Sequence, residues 1–110
     1  MSLIVQKYGG TSVGSIEKIR NVAQRVIEMK KKGHDIVVVL SAMSGETDKL
    51  IRLAKEMTEN PDPRELDVLI STGEQISVAL FSMAVQSMGF KATSLLGHQV
   101  KIATDDAYGR

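Results

Sequence analysis

A chain of 110 residues with 43% hydrophobic side chains can form one small domain with a real core, or a piece of a larger one. A net charge of +1, with only two tyrosines, two phenylalanines and no tryptophan, argues against a nucleic-acid surface or a base-stacking platform. The absence of cysteine excludes disulfides and thiolate-bound metal, and fits a reducing, cytoplasmic setting. The densest apolar run, Ile36 to Leu40, falls far short of a membrane span. No basic segment followed by a long apolar one opens the chain, so neither a membrane anchor nor a secretory leader is expected.

The first element is a short apolar strand, Leu3-Ile4-Val5, running through Gln6-Lys7-Tyr8 into Gly9-Gly10-Thr11-Ser12-Val13-Gly14-Ser15. A strand, a glycine-rich turn and a helix start can bring main-chain N–H groups close to phosphate. Glycines permit φ > 0 and remove the Cβ that would hold an anion away, and a helix start adds donors and partial positive charge. Lys7 would add a full charge. The spacing is neither G-x-x-x-x-G-K-[ST] nor G-x-G-x-x-G. On spacing alone, a tight turn with a solvated lysine stands equally open.

Ile16, Ile19, Ala23, Val26 and Ile27 share one helical face, with Ser15 as N-cap and Glu17 in the first turn. Lys30-Lys31-Lys32-Gly33 reads as a solvated cationic helix end with a glycine stop. Ile36 to Leu40 is a β-branched run of the kind buried on both faces of a parallel sheet. A second small-residue loop, Ser41 to Asp48, precedes a helix marked by Leu50, Ile51, Leu53, Ala54 and Met57. Asp62, Pro63 and Glu65 then make a strong helix start. The long apolar helix that follows runs from Pro63 to Met88, with Gly73-Glu74 at its middle. A mid-helix glycine predicts either a break or a close approach by another group. Glu74, among apolar neighbours, needs a cationic partner, whether within the fold or outside it. Gly89 closes the helix, Lys91 to Leu96 reads as a third strand, and Val100 to Ile102 opens a fourth. His34 and His98 have no companion at ligand spacing and read as surface residues, and no metal site is expected.

Strand, helix, strand, helix in this rhythm predicts an α/β fold with a parallel pair joined by a crossover. Parallel strands end on one sheet edge, so the loops after Tyr8 and Leu40 should open onto a shared crevice, where ligands of open α/β sheets sit.

Three segments together, Lys7-Tyr8-Gly9-Gly10-Thr11-Ser12, Leu40 to Asp48, and Ser71-Thr72-Gly73-Glu74-Gln75-Ile76-Ser77, closely resemble the aspartate kinases of the amino acid kinase superfamily. Asp106 to Arg110 also resembles family sequence. The resemblance implies an αβα sandwich around a mainly parallel sheet, incomplete here: residues 1–110 would be the N-terminal part of a catalytic domain, with no complete second domain. It implies transfer of the ATP γ-phosphate to the β-carboxylate of L-aspartate, giving 4-phospho-L-aspartate, the first step toward lysine, threonine and methionine. Lys7 would be the catalytic cation, on one wall of that crevice, with Glu74 on the other. Lys7, Tyr8, Gly9, Gly10, Ser12 and Ser41 would bind ATP phosphates, while Ser41, Gly45, Thr47 and Glu74 would bind aspartate. Mg²⁺ would arrive held mainly by ATP, and the parent would be a homo-oligomer. The chain alone would be inactive, its incomplete sheet leaving apolar faces that invite self-association. Another acyl-phosphate-forming member of the superfamily, or a non-catalytic binding module, are the competing readings.

Overall fold

The computed structural model describes residues 2–95 and 99–103; His98, Leu96 and Asp106 to Arg110 lie outside the described residues. Seven elements follow in order: β1 (Leu3–Tyr8), α1 (Ile16–Lys31), β2 (Asp35–Leu40), α2 (Glu46–Met57), α3 (Pro63–Ser87), β3 (Lys91–Ser94) and β4 (Gln99–Ala103). The strands form one sheet in the order β1-β2-β4-β3. β1 and β2 pair in parallel, with Leu3 opposite Asp35 and Tyr8 opposite Leu40. β4 runs antiparallel to both β2 and β3. Three of the four strands therefore share one direction, as the expected mainly parallel sheet requires.

The local signals act as their chemistry dictates. The Ser15 hydroxyl caps α1 by accepting from the Lys18 N–H, and Gly33, at φ +95°, takes the left-handed position just past its end. Asp62 caps α3 by accepting from the Glu65 N–H at 3.1 Å, with Pro63 in the first turn. The expected solvated lysine run needs correction. Lys30 donates to Asp35 Oδ1 at 2.9 Å and its side chain is only 8% exposed, so it ties the end of α1 to the start of β2. A charge buried to that degree persists because it is paired.

Strand alternation divides the sheet into two unlike faces. Ile36, Val38 and Leu40 of β2, Ala92 of β3 and Ile102 of β4 are buried against Ile19, Val22, Ala23, Val26 and Ile27 of α1 and Val78, Phe81 and Val85 of α3. Each large apolar side chain buried in this way is worth about 1.5–3 kcal/mol. On the opposite face Leu3 and Val5 remain about two-thirds exposed, at 65% and 64%. α1 and α3 thus cover one side of the sheet, and none of the described elements covers Leu3 and Val5 on the other.

α3 is a single unbroken helix of 25 residues. Its length, and an 18-residue window of mean hydropathy 1.5 within it, would on composition alone suit a membrane crossing, which corrects the expectation that no segment approaches that length. Its position accounts for the composition, since Ser77, Val78, Phe81, Ser82 and Val85 are buried against α1 and the sheet.

Candidate functional site

The parallel pairing of β1 and β2 fixes where their loops emerge. The Ser41 N–H, one residue past the end of β2, donates to the carbonyl of Tyr8, the last residue of β1, at 3.1 Å. The loop after β1 and the loop after β2 therefore start side by side, as a shared edge predicts. The first loop tightens through a bond from the Ser12 N–H to the Gly9 carbonyl at 3.0 Å. A bond from Ser44 Oγ to the Gly10 carbonyl, also 3.0 Å, then joins the two loops across 34 positions of sequence.

The glycines of this edge differ in what they serve: Gly10 and Gly14 allow close approach, and Gly45 a left-handed backbone. Gly10 does not have positive φ; a Cβ there would come within 3.1 Å of the Ala42 carbonyl oxygen. Gly45 does adopt φ +84° and is the N-cap of α2. Having no side chain, it makes no capping bond. The start of α2, with half-buried Thr47 in its first turn, thus lacks the side-chain cap that closes α1. A Cβ on Gly9 would meet nothing within 4 Å, so this glycine borders open space.

Gly73 settles the choice between a break and a close approach. A Cβ there would lie 3.1 Å from Ala42 Cβ, 3.4 Å from Leu50 Cδ1 and 3.7 Å from Glu46 Cβ. The missing side chain lets α3 sit directly against the second loop and the start of α2. All three motif segments consequently interlock at the C-terminal edge of β2, through Gly10 with Ser44 and Ala42 with Gly73. Glu74, half-buried on α3 beside Gly73, is held at that same edge.

Two expected site residues are placed differently from the sequence reading. Lys7 is exposed and, sharing alternation with Leu3 and Val5, lies on the open face of the sheet. α3, which carries Glu74, lies on the covered side. The two do not form facing walls of one face; they approach the edge from opposite sides of the sheet plane. The Tyr8 side chain turns inward instead of joining the loop. Its ring packs on the core and its hydroxyl donates to Gln6 Oε1, so only its carbonyl takes part at the edge. Burial pushes its phenol above the ordinary value, against a smaller opposing pull from Arg25.

Sequence reasoning missed Ser44, Gly14 and Ala42, and for Gly73 it offered the close approach without the partner. Each acts through a neighbour remote in sequence, and small residues carry no periodic signal of such contacts. Among the described residues, no group of three or more His, Asp and Glu side chains could hold a metal ion. The donors at the edge are hydroxyls and main-chain N–H groups, a set that suits anionic oxygens.

Comparison with known proteins agrees with this geometry. Across all 110 residues the chain is 57% identical to an aspartate kinase from Pseudomonas putida, spanning 27% of that protein's length. It is 55% identical over 109 residues to an aspartokinase from Geobacillus stearothermophilus, again spanning 27% of its length. Among solved structures, aspartate kinase from Synechocystis superposes with a TM-score of 0.82 at 53% identity, over 84% of this chain and 16% of that one. E. coli aspartokinase III, in a complex with aspartate and ADP, shares the fold with a TM-score of 0.66 at 23% identity, over 83% of this chain and 30% of that one. The sequence pattern of the amino acid kinase family matches residues 2–108, and the chain belongs to that family.

Proposed function

We propose that the protein carrying this chain is an aspartate kinase, transferring the γ-phosphate of ATP to the β-carboxylate of L-aspartate to give 4-phospho-L-aspartate. The observation that carries the reading is the meeting of the three motif segments at one edge, where Ser44 bonds Gly10 and Gly73 rests on Ala42. Identity to aspartate kinases across the whole of this chain, which spans 27% of their length, supports it.

The acceptor needs no general base. A carboxylate of pKa about 4 is ionised at neutral pH and can attack phosphorus directly. What remains is positioning and stabilisation of charge on the transferring group. In this reading the Gly9-Gly10 loop and Ser12 present donors to the phosphates. Ser41 and Thr47 border both substrates, and Lys7 reaches the γ-phosphate from the open face. Glu74 binds the aspartate ammonium from the side of α3, so the acceptor lies across the sheet edge. Magnesium, carried mainly by the nucleotide, would neutralise phosphate charge. The residues described here supply only part of such a site, and the chain by itself is expected to be inactive.

The test uses the full-length protein with ATP, Mg²⁺ and aspartate, trapping the acyl phosphate with hydroxylamine. Hydroxamate formation should require aspartate. Lys7→Ala should lower kcat by about 10²-fold or more, because the charge matters most in the transition state. Glu74→Ala should raise the KM for aspartate far more than that for ATP. Turnover with another carboxylate in preference to aspartate would overturn the assignment, and equal shifts in both KM values would make Glu74 structural.

A further inference from the structure

We infer that Ser44 is a positioning residue that locks the first glycine loop in its phosphate-accepting form; this rests on the aspartate kinase reading for its purpose, though not for its geometry. Two glycines make room for this one hydroxyl. A Cβ on Gly14 would lie 3.1 Å from Ser44 Oγ and 3.5 Å from its Cβ, and a Cβ on Gly10 would lie 3.9 Å from the Ser44 N–H nitrogen. Ser44 thus fills a notch between the two glycines, and from there donates to the Gly10 carbonyl at 3.0 Å.

That carbonyl belongs to the peptide joining Gly10 to Thr11. In a trans peptide the C=O and the N–H point in opposite directions. Anchoring the oxygen on Ser44 therefore also fixes the Thr11 N–H on the other side. Peptides beside glycine rotate easily. Without the anchor, this one could turn its carbonyl toward a bound phosphate, replacing a donor with a repelling oxygen. Ser44 is available for the task because α2 takes Gly45 as N-cap, leaving the serine hydroxyl free of capping duty. Ser44 acts through Gly10 and touches neither substrate in this account.

The test pairs kinetics with amide exchange in the full-length protein. Ser44→Ala should raise the KM for ATP about three- to tenfold, the loss expected of one hydrogen bond. The KM for aspartate and the melting temperature should stay near wild type, and Ser44→Thr, which keeps the hydroxyl, should restore much of the ATP affinity. Deuterium exchange across residues 10–14 should speed up in Ser44→Ala whether or not the protein is a kinase. Gly14→Ala should be harmful alone and less so combined with Ser44→Ala, because the 3.1 Å clash with Oγ disappears. Unchanged exchange, or strictly additive Gly14 and Ser44 effects, would overturn the lock. Faster exchange in a protein whose wild type transfers no phosphate would leave the lock in place and refute the kinase reading instead.

Discussion

α1 and α2 carry similar apolar stripes and meet opposite fates. α1 buries Ile19, Val22, Ala23, Val26 and Ile27 between α3 and the sheet. α2, with Leu50, Ile51, Leu53, Ala54 and Met57 at the corresponding spacing, buries no residue; Leu53 is 50% and Met57 86% exposed. Beside α3 it borders an open apolar groove of about 460 Å³ that includes Leu53, Met57, Leu66 and Leu69. Periodicity states that a helix has a face suited to burial, while the neighbouring elements decide whether that face is covered. The open sheet face bearing Leu3 and Val5 repeats the lesson.

The sharpest way to break this contrast is to truncate one side chain in each region. Phe81, fully buried, should cost about 3–5 kcal/mol as Phe81→Ala, from lost burial and the cavity left behind. Leu53→Ala in α2 should stay within about 0.5 kcal/mol, as substitutions on an exposed surface do. Urea unfolding of the 110-residue chain measures both. Comparable losses would mean that the groove beside α2 is closed in solution, by a second copy or by rearrangement.

Gly73 tests the link between the two regions, since it sits where α3 passes from the exposed hairpin into the core. In Gly73→Ala, improved helix propensity offers about 1 kcal/mol. Contact at 3.1 Å with Ala42 and 3.4 Å with Leu50 opposes it, at about 1–3 kcal/mol for an overpacked site. A net loss of stability is expected, accompanied in the full-length protein by a higher KM for aspartate as Glu74 shifts. A stabilised variant with normal KM would show that α2 can move aside, as its lack of buried residues permits.

Much of the fold was legible in the sequence because its signals are local. Ser15, Asp62, Pro63, Gly33 and Gly89 mark boundaries through bonds or dihedrals within a few residues, and the β-branched run of β2 declares itself. The direction of β4 was not legible, since nothing in Gln99 to Ala103 states that it should run between β2 and β3 against both. The site was legible as motifs and as a shared edge. The interlocking through Ser44 and Gly10 was not, being a contact between residues 34 positions apart that have no apolar periodicity. Lys30 was misread for the same reason, its partner lying beyond the helix on the next strand. The facing of Lys7 and Glu74 failed because proximity to an edge does not decide the side of the sheet.

Ser77 offers a smaller effect within the covered region. It is fully buried one turn beyond Gly73, and its hydroxyl has no hydrogen-bond partner among the described residues. Replacing a buried group that lacks a partner removes a desolvation cost of about 1–3 kcal/mol, against a small loss of packing. Ser77→Ala should therefore leave the melting temperature unchanged or raise it. A drop of more than about 1 kcal/mol would show that the hydroxyl bonds a buried water.

The smallest expected effect separates the two faces of the sheet at adjacent residues, Lys7 outward and Tyr8 inward. Burial raises the Tyr8 phenol above its ordinary value of 10.0 in the folded protein. The folded state thus holds that proton more tightly than the unfolded chain does. Stability from this source is complete below the unfolded value and is lost as pH rises through the folded one. Urea titrations at pH values from about 9 to 11 should show this decline. In Tyr8→Phe the Tyr8 share of the slope should vanish, alongside a pH-independent loss of about 1 kcal/mol for the bond to Gln6. An unaltered slope would mean that the Tyr8 ring is as open to water as the Lys7 chain beside it, and that the covered face is looser at its edge than the packing of α1 implies.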